Sequence, residues 1–384
     1  MSRFRPRTCA YAAVICILAS LTMLVSGCFP IELDVSNGMI LIARAEGVFI
    51  FDVKSGAVTR VMASAEKVEP VTARFSPNGK DALTVCKVPG EGFDDTFAFT
   101  VTPRAGGAGK EIYRTAGGMY VAYSPDSKQI AVIRASAMED PAFKQKIPEL
   151  VIVPAAGGAP RVIAKHVGPL ARWYADSKYL LVFDISKKGE DGRFDGTLSA
   201  IEVATGKMLP ILSAATKEGA FLDISPDNRK ALFTALSVVK TGGTLPEPKG
   251  SSLKLFEVTL ATGAVQSFDL EPTCAIYSPS GKQILLTLPP TEMSFDTVSL
   301  QVADASLKNM VPVATDAYKP MSMGGDEVYF PGWLDEKTVF YFHHSAVYGT
   351  ASKNTQLFSV GTDGKGRHCM QPQIDAGVAK LAGE

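Results

Sequence analysis

The stretch Val121–Ile133 reads VAYSPDSKQIAVI, a short apolar run, a polar turn and a second apolar run. The turn residues are specific. The ring of Pro125 holds its own backbone φ at about −65°, and the side chains of Asp126 and Ser127 can hydrogen-bond to nearby backbone groups. Two apolar runs joined by such a turn predict a β-hairpin.

The same phrase recurs along the whole chain. Clear copies are Ser76–Lys80, Ser124–Lys128, Ser225–Arg229 and Ser278–Lys282, and degraded copies are Ser36–Gly38, Ala175–Lys178 and Leu334–Lys337. Successive copies lie about 50 residues apart, and a period of roughly 40–50 residues built of strands is the signature of a β-propeller blade. The repeat therefore predicts one propeller rather than several separate domains.

Each period also contains a third apolar strand, a glycine turn and a fourth strand. We name the four strands of a blade a to d, outward from the axis. The glycine turns are at Gly56, Gly106–Gly107, Gly157–Gly158, Gly206, Gly263 and Gly364, whereas the unit at Ser306–Lys308 lacks its glycine. We therefore expect hairpin connections throughout, with one c–d turn of unusual composition.

The number of blades depends on the first segment. If Ile31–Ser36 is a strand a, the all-β chain carries seven four-stranded units, beginning near residues 31, 71, 119, 170, 220, 272 and 327. If it is not, six full blades and an incomplete one remain. We favour seven blades, and a ring closure that borrows a strand from the other terminus is compatible with the pattern.

The Ser-Pro-Asp-Gly-Lys type of turn resembles the WD40-like PD40 propeller repeat. That repeat occurs in the periplasmic propeller of TolB-type proteins and in propellers of some peptidases and lyases. The resemblance covers residues 31–370 and implies the propeller architecture. It is nearly silent about activity, because propellers host many unrelated functions.

Composition excludes some classes of protein. Lys+Arg and Asp+Glu balance at 39 each, and without the three arginines near the N-terminus 36 basic residues face 39 acidic ones. No basic excess supports nucleic-acid binding. Cys86, Cys274 and Cys369 are an odd, scattered trio, which favours buried thiols over a disulfide framework, with one incidental disulfide as the alternative. The sequence predicts no cofactor and no metal site.

Residues 1–27 have the pattern of an export signal. Arg3, Arg5 and Arg7 form a positive start, and Ala10–Val25 is apolar but too short for a typical spanning helix. The segment ends in Val25–Cys28, which reads VSGC and resembles the bacterial lipobox.

The lipobox resemblance implies that Cys28 is lipidated and becomes the new N-terminus. An ordinary signal peptide with a chance cysteine is the alternative. Phe29, where inner-membrane lipoproteins of Gram-negative bacteria carry aspartate, implies the outer membrane, facing the periplasm. The expected division is therefore a signal peptide at 1–27, a lipid-anchored tether at 28–30, one propeller at 31–370 and a tail at 371–384, helical or loose.

The b–c connections vary most in length. They grow from Ala45–Glu46 to 89–95, 135–148 (with room for a helical turn), 186–196, 239–251, 289–295 and 343–355, whereas most a–b and c–d turns stay short. In a propeller the b–c and d–a loops emerge on one face. Loops on a rigid scaffold are where binding usually occurs, so we expect a binding surface there. Because the tether is short, this long-loop face is also expected to lie near the membrane.

Four residues of this face are candidates for ligand binding. His343 and His344 stand at the start of a loop, Tyr348 follows in it, and His166 lies in a d–a loop. Some lyases with the PD40-type repeat use clustered histidines for a metal. Adjacent strand residues point to opposite faces, however, and no carboxylates accompany the pair at a fixed spacing. A solvated or packing role is the competing interpretation of the histidines.

Other features favour structure over chemistry. The acidic stretch Glu190–Gly196 lacks the ligand pattern of a calcium loop, and no nucleophile elbow or phosphate-binding loop occurs. Aromatic residues recur at the end of strand a, at Phe75, Tyr123, Trp173, Tyr277 and Trp333. Their repetition with each blade predicts packing between blades.

The function expected from these observations is a non-enzymatic, lipid-anchored envelope protein. Its b–c and d–a loops would bind one or more envelope proteins, and its N-terminal lipid would bind the membrane. The alternative is a saccharide-binding or lyase-type propeller, in which the loop histidines would act on a glycan, with or without a metal.

Overall fold

In five of the seven sheets within the described residues, only strands that are consecutive in the sequence pair with one another. The computed structural model describes residues 34–36, 38–44, 46–63, 68–89, 96–140, 145–189, 192–217, 220–246, 252–289, 297–318, 331–344 and 355–382. Within these ranges the strands form seven antiparallel sheets of four strands, one of which gains a fifth. The prediction of seven blades is confirmed.

The strand bounds follow the repeat. Blade 1 comprises β1 (Asp34–Ser36), β2 (Met39–Arg44), β3 (Gly47–Asp52) and β4 (Val58–Ala63). Blade 2 comprises β5 (Glu69–Phe75), β6 (Asp81–Val88), β7 (Thr96–Pro103) and β8 (Lys110–Ala116). Blade 3 comprises β9 (Gly118–Tyr123), β10 (Gln129–Asp140), β11 (Gln145–Pro154) and β12 (Arg161–Lys165). Blade 4 comprises β13 (Val167–Trp173), β14 (Tyr179–Lys188), β15 (Arg193–Glu202) and β16 (Met208–Lys217).

The remaining blades contain one extra strand and end in a helix. Blade 5 comprises β17 (Leu222–Ile224), β18 (Lys230–Ala235), β20 (Lys254–Thr259) and β21 (Ala264–Phe268), with β19 (Ser237–Lys240) in its b–c connection. Blade 6 comprises β22 (Cys274–Tyr277), β23 (Gln283–Leu288), β24 (Thr297–Asp304) and β25 (Val311–Tyr318). Blade 7 comprises β26 (Gly332–Asp335), β27 (Thr338–His344), β28 (Thr355–Gly361) and β29 (His368–Cys369), followed by helix α1 (Gln371–Ala382).

The first strand of each blade lines the axis of the ring. These strands contact one another in order, β1 with β5, β5 with β9, β9 with β13, β13 with β17 and β17 with β22. Strand β1 also contacts β26 of blade 7, which closes the ring. The alternation of side chains along each strand then directs one set of residues to each neighbouring blade.

Blade 3 shows how that alternation builds the core. Ile130 and Val132 pack against blade 2, whereas Ala131 and Ile133 pack against blade 4. A buried apolar cluster of this kind lies between each pair of adjacent blades, seven clusters within the described residues. Both faces of a blade are thus covered, which explains why its middle strands are mostly apolar.

The turn that opens the repeat is held by its own side chains. Ser124 Oγ donates to Asp126 Oδ1 at 2.6 Å, and the amides of Gln129 and Lys128 donate to Ser124 Oγ and Asp126 Oδ1 at 2.9 and 3.0 Å. The fourth turn residue, Ser127, has a positive φ of 62°. The serine and aspartate of the motif are therefore required by the turn itself.

Blades 7 and 1 close without exchanging a strand in the described residues. Met370, Ile374 and Val378 of α1 are buried in one cluster with side chains of both blades. A Cβ added to Gly377 would lie 2.3 Å from Val58 Cγ2, so the helix lies directly against β4. The segment after residue 370 thus forms a helix that joins the two ends of the ring.

Two b–c connections differ from their expected form. The segment 135–148, expected to have room for a helical turn, instead extends a hairpin, because β10 continues to Asp140 and β11 begins at Gln145. In blade 5 the chain leaves β18 and pairs as β19 with β16 of blade 4, Ser237 opposite Ala215 and Lys240 opposite Leu212. The sequence of that connection did not predict that part of it would pair with the neighbouring blade.

Candidate functional site

The long-loop face is built by the ends of strands b and d and the starts of strands a and c. Its most extended described parts are the β10–β11 hairpin of blade 3 and the β14–β15 hairpin of blade 4. Cys28 and Tyr348 lie outside the described residues, as do the middle parts of most b–c connections. The structure therefore describes the base of this face rather than its loop tips.

His166 is placed at the junction of blades 3 and 4. It lies between β12 and β13 with a positive φ of 60°, and its carbonyl accepts the amide of Ile185 at 2.6 Å. Its Nε2 is 3.0 Å from Asp140 Oδ2, and the two side chains are 31% and 20% exposed. The imidazole is thus held by an acidic partner at the end of β10 and remains partly accessible.

A second carboxylate stands near this pair. Burial raises the pKa of Asp184, and the charge of His166 opposes that rise. Asp184 pairs across the sheet with Val167, the residue after His166. His166 is thus paired with Asp140 and lies within electrostatic range of Asp184 on the base of the long-loop face. The sequence interpretation missed both relationships because the three residues lie on different strands or connections.

His343 occupies a different part of the ring. It is in strand b of blade 7, and its ring meets Phe358 edge to face at 5.8 Å. Phe358 also stacks with Tyr341 at 5.7 Å, and the Arg367 guanidinium lies 4.3 Å from the centre of the Phe358 ring. His344 follows as the last residue of β27. His343 is therefore integrated in an aromatic and cationic stack of its own blade.

The structure does not bring His166 and His343 into contact. His166 lies between blades 3 and 4, whereas His343 belongs to blade 7, three blades away around the ring. Within the described ranges no group of three or more histidine, cysteine, aspartate and glutamate residues is placed to hold a metal ion.

A charged pair on the axial wall was also missed from sequence. Arg172 Nε lies 3.4 Å from Asp223 Oδ1, which joins the inner strands of blades 4 and 5. Asp223 Oδ2 accepts the amide of Tyr277 in blade 6 at 2.9 Å, and the Arg172 guanidinium lies over the Tyr120 ring at 5.8 Å. Burial raises the pKa of Asp223, and Arg172 opposes that shift. One carboxylate thereby links the inner strands of three blades.

The repeated aromatic residues serve the packing role expected from their spacing. Trp173 Nε1 donates to the carbonyl of Ala122 in the preceding blade, and Trp333 Nε1 donates to that of Ile276, both at 3.2 Å. The indole rings thus fill the space between blades while their polar atoms are satisfied.

Two general findings bear on location and redox chemistry. No helix in the described part of the chain is long and apolar enough to span a membrane. Cys86, Cys274 and Cys369 form no disulfide, and the first two are buried. Burial raises the pKa of the Cys86 thiol to about 11, which keeps it protonated and unreactive.

Comparisons with known proteins agree with the architecture. No family model matches the chain, and no curated protein matches it. An oligogalacturonate lyase in complex with manganese has a TM-score of 0.59 and 14% identity, over 88% of this chain and 88% of that one. Acylaminoacyl peptidase from Pyrococcus horikoshii has a TM-score of 0.57 and 13% identity, over 89% of this chain and 52% of that one.

A TolB protein also appears among the similar structures. TolB from Acinetobacter baumannii has a TM-score of 0.49 and 14% identity, over 85% of this chain and 77% of that one. At such identities the likeness to these solved structures concerns the fold alone. The lyase and the peptidase are similar to this chain in fold, and the architecture of the chain is that of a seven-bladed β-propeller.

Proposed function

We propose that the protein is an exported lipoprotein, anchored through Cys28, whose propeller presents its b–c and d–a loops to an envelope protein. The observation that carries the proposal is the asymmetry between the two faces. Extended hairpins and the crossing strand β19 lie on the long-loop face. Turns of one repeated design occupy the opposite face.

The opposite face is constrained by the fold. Its a–b turns are linked to one another, since the amides of Asn78 and Asp126 each donate at 3.0 Å to the serine side chain of the next blade's turn. Such turns cannot change length without breaking contacts between blades. Insertions on the long-loop face carry no such cost, and variable loops on a rigid scaffold favour a binding role.

The polar groups at the base of that face suit protein recognition. The His166–Asp140 pair and the exposed lysine Lys187 supply charge, and β19 supplies a backbone edge next to blade 4. Partly exposed charged groups on a rigid base favour specific orientation of a partner.

Site-specific photo-crosslinking in the source organism tests the proposal. A crosslinking residue placed at Lys187, Thr244 or Tyr348 samples the long-loop face, and one at Lys80 or Lys282 samples the opposite face. We expect one discrete protein to be captured only from the first set. Capture from both sets alike, or only from Lys80 and Lys282, contradicts the assignment of the face.

The lipid anchor has its own test. Labelling with a palmitate analogue should mark the wild-type protein and not the Cys28→Ala variant, whereas Cys369→Ala should be labelled normally. Absence of capture from every site, with a saccharide found to bind the purified protein, would favour the alternative of a glycan-binding propeller.

A further inference from the structure

A cavity of about 470 Å³ opens between blades 5 and 6, on the face opposite the long loops. Blade 5 contributes Lys230, Glu257, Gln266 and Phe268 to its lining, and the c–d turn of blade 6 contributes Ala305, Ser306 and Lys308. Sites for small molecules have volumes of roughly 300–1,000 Å³, so the cavity is of a suitable size.

An ion pair between a buried carboxylate and a partly exposed lysine, 46% exposed, lines the cavity. The Glu257 side chain is 8% exposed, and its Oε1 accepts a hydrogen bond from the Lys230 ammonium at an N–O distance of 2.7 Å. Its Oε2 accepts the Tyr277 hydroxyl at 3.1 Å. Burial, reinforced by Glu257, raises the pKa of Tyr277, so the phenol keeps its proton and remains the donor. Both carboxylate oxygens are thus held, and the ion pair keeps Lys230 in the lining of the cavity.

The position of Glu257 is not acidic in the other blades. Glu257 pairs with Leu232, the third residue of strand b. The residues in the same register of the other blades are Ile50, Val101, Ile152, Ala200, Val302 and Ser359. Five of these six are apolar, and burying a carboxylate costs free energy that burying an apolar side chain does not. The departure from the repeat at this position therefore points to a role other than stability.

The turn at the mouth of the cavity is strained. Leu307 and Asn309 have positive φ values of 55° and 39°, where the c–d turns of other blades use glycine. Leu307 is nonetheless buried between blades 5 and 6, and Asp304 Oδ1 accepts the amides of Ser306 and Lys308 at 2.9 and 3.1 Å. Strained backbone held by its surroundings is typical of ligand sites, and here it fixes the position of Lys308.

The charges of the lining favour an anion. Two lysines face one carboxylate, and the Lys230 ammonium has three donors, of which Glu257 takes one. The Gln266 amide offers a further donor beside them, and the Phe268 ring and Ala305 methyl group form an apolar wall. A ligand that fits both parts carries an anionic group on an organic body.

We propose that this cavity binds a small organic carboxylate between Lys230 and Lys308, with its carbon skeleton against Phe268. Glu257 acts as a positioning residue for Lys230. The site lies on the other face from the proposed partner surface, so either proposal can fail without the other.

Calorimetric titration of the full mature protein tests the site directly. The probes are succinate, citrate and benzoate, with inorganic phosphate as a simple anion. We expect at least one carboxylate to bind more tightly than phosphate, and Lys308→Ala to weaken that binding about tenfold, as for loss of one charge-assisted hydrogen bond. Lys282→Ala, an exposed lysine of the same blade and face outside the cavity, should bind as the wild type does.

The outcomes that overturn the proposal are distinct. No binding of any carboxylate at millimolar concentrations, phosphate binding as tightly as the carboxylates, or equal affinity of Lys308→Ala and wild type would each refute it. The double variant Glu257→Val with Tyr277→Phe removes the buried polar groups together. We expect a folded protein with weakened carboxylate binding, and unchanged binding in that variant would refute the positioning role.

Discussion

The backbone amide of Asp126 donates a hydrogen bond to Ser177 Oγ at 3.0 Å, which ties the a–b turn of blade 3 to that of blade 4. Ser177 has a positive φ of 60°, a conformation that a residue with a Cβ rarely adopts. Asn78 bonds to Ser127 in the same way, and the amide of Ala175 donates to Asn228 Oδ1 at 3.0 Å. A serine or asparagine replaces the glycine of the motif at these turns because its side chain reaches the preceding blade.

Two substitutions at Ser177 separate the hydrogen bond from the backbone strain. Ser177→Ala loses the bond and keeps the left-handed strain, so we expect the free energy of unfolding to fall by about 1 kcal/mol. Ser177→Gly also loses the bond but removes a strain of roughly 1 kcal/mol, and should be nearly neutral. Urea denaturation followed by circular dichroism measures both. Equal stabilities for the two variants would show that the strain is negligible.

Glycine usually stabilises a position with left-handed backbone, but at Leu307 we expect the opposite. Leu307→Gly supplies the glycine that other c–d turns have, but it removes a buried side chain, a loss of about 2–5 kcal/mol against roughly 1–2 kcal/mol of strain relieved. We therefore predict a lower thermal midpoint than wild type. Leu307→Ala, which loses the side chain and keeps the strain, should be the less stable of the two. A glycine variant more stable than wild type would contradict this account.

The raised pKa of Asp184 predicts a pH dependence of stability. Between the ordinary pKa of 3.8 and the raised folded value, the folded state binds more protons than the unfolded state, so stability falls as pH rises through that window. Asp184→Asn lacks this titration. We expect the Asp184→Asn variant to be more stable than wild type at neutral pH. The difference in stability should shrink as the pH falls toward the pKa of the carboxyl group in the unfolded chain.

Asp227 provides the control of opposite sign. Hydrogen bonds from the Ser225 hydroxyl and the Arg229 amide lower its pKa. Its contribution is therefore present above the ordinary pKa and is lost as pH falls through the folded value. Asp227→Asn should be less stable than wild type at neutral pH and converge with it in acid. Thermal melts across pH measure both variants, and slopes of the same sign would contradict the assignments.

Gly377 controls the contact between helix α1 and blade 1. Alanine is the better helix former by about 1 kcal/mol, yet its Cβ would lie 2.3 Å from Val58 Cγ2 and 2.6 Å from Val58 Cβ, so no rotamer of Val58 removes the clash. We predict that Gly377→Ala lowers the thermal midpoint. Hydrogen exchange should quicken first in β1–β4 and β26–β29, the two blades that the helix joins.

An exposed residue of the same helix provides the comparison. Lys380→Ala changes α1 without touching blade 1, so the exchange rates of blades 1 and 7 should stay at wild-type values. Faster exchange spread evenly over all blades of the Gly377→Ala variant would show that the helix does not act at the junction.

Much of the fold follows from local chemistry that the sequence displays. The Ser124–Asp126 turn, the apolar runs on either side of it and the recurrence of the unit sufficed to predict four strands per blade and the packing role of Trp173 and Trp333. They favoured seven blades over six. These features depend on contacts within one hairpin or on a position repeated in every blade. A single copy of the motif therefore carries most of the information about the others.

The candidate sites depended on contacts between distant segments. The choice of His166 from sequence is consistent with its place on the long-loop face, but its partner Asp140 and the nearby Asp184 come from other parts of blades 3 and 4. His343 could not be separated from His166 by sequence, although the ring places them three blades apart. Likewise the pairing of β19 with β16 depends on an edge that only the assembled blade 4 presents.

The sequence by itself determined the four-stranded blade and favoured seven blades over six, because turn propensity and strand alternation act over a few residues. Only the tertiary structure decided how the ring closes through α1, which residues face the cavity between blades 5 and 6, and that Glu257 meets Lys230 and Tyr277 there. Glu257 meets Lys230 across two strands of blade 5 and Tyr277 across the junction with blade 6. The energies of such contacts depend on distances that no local pattern along the chain encodes.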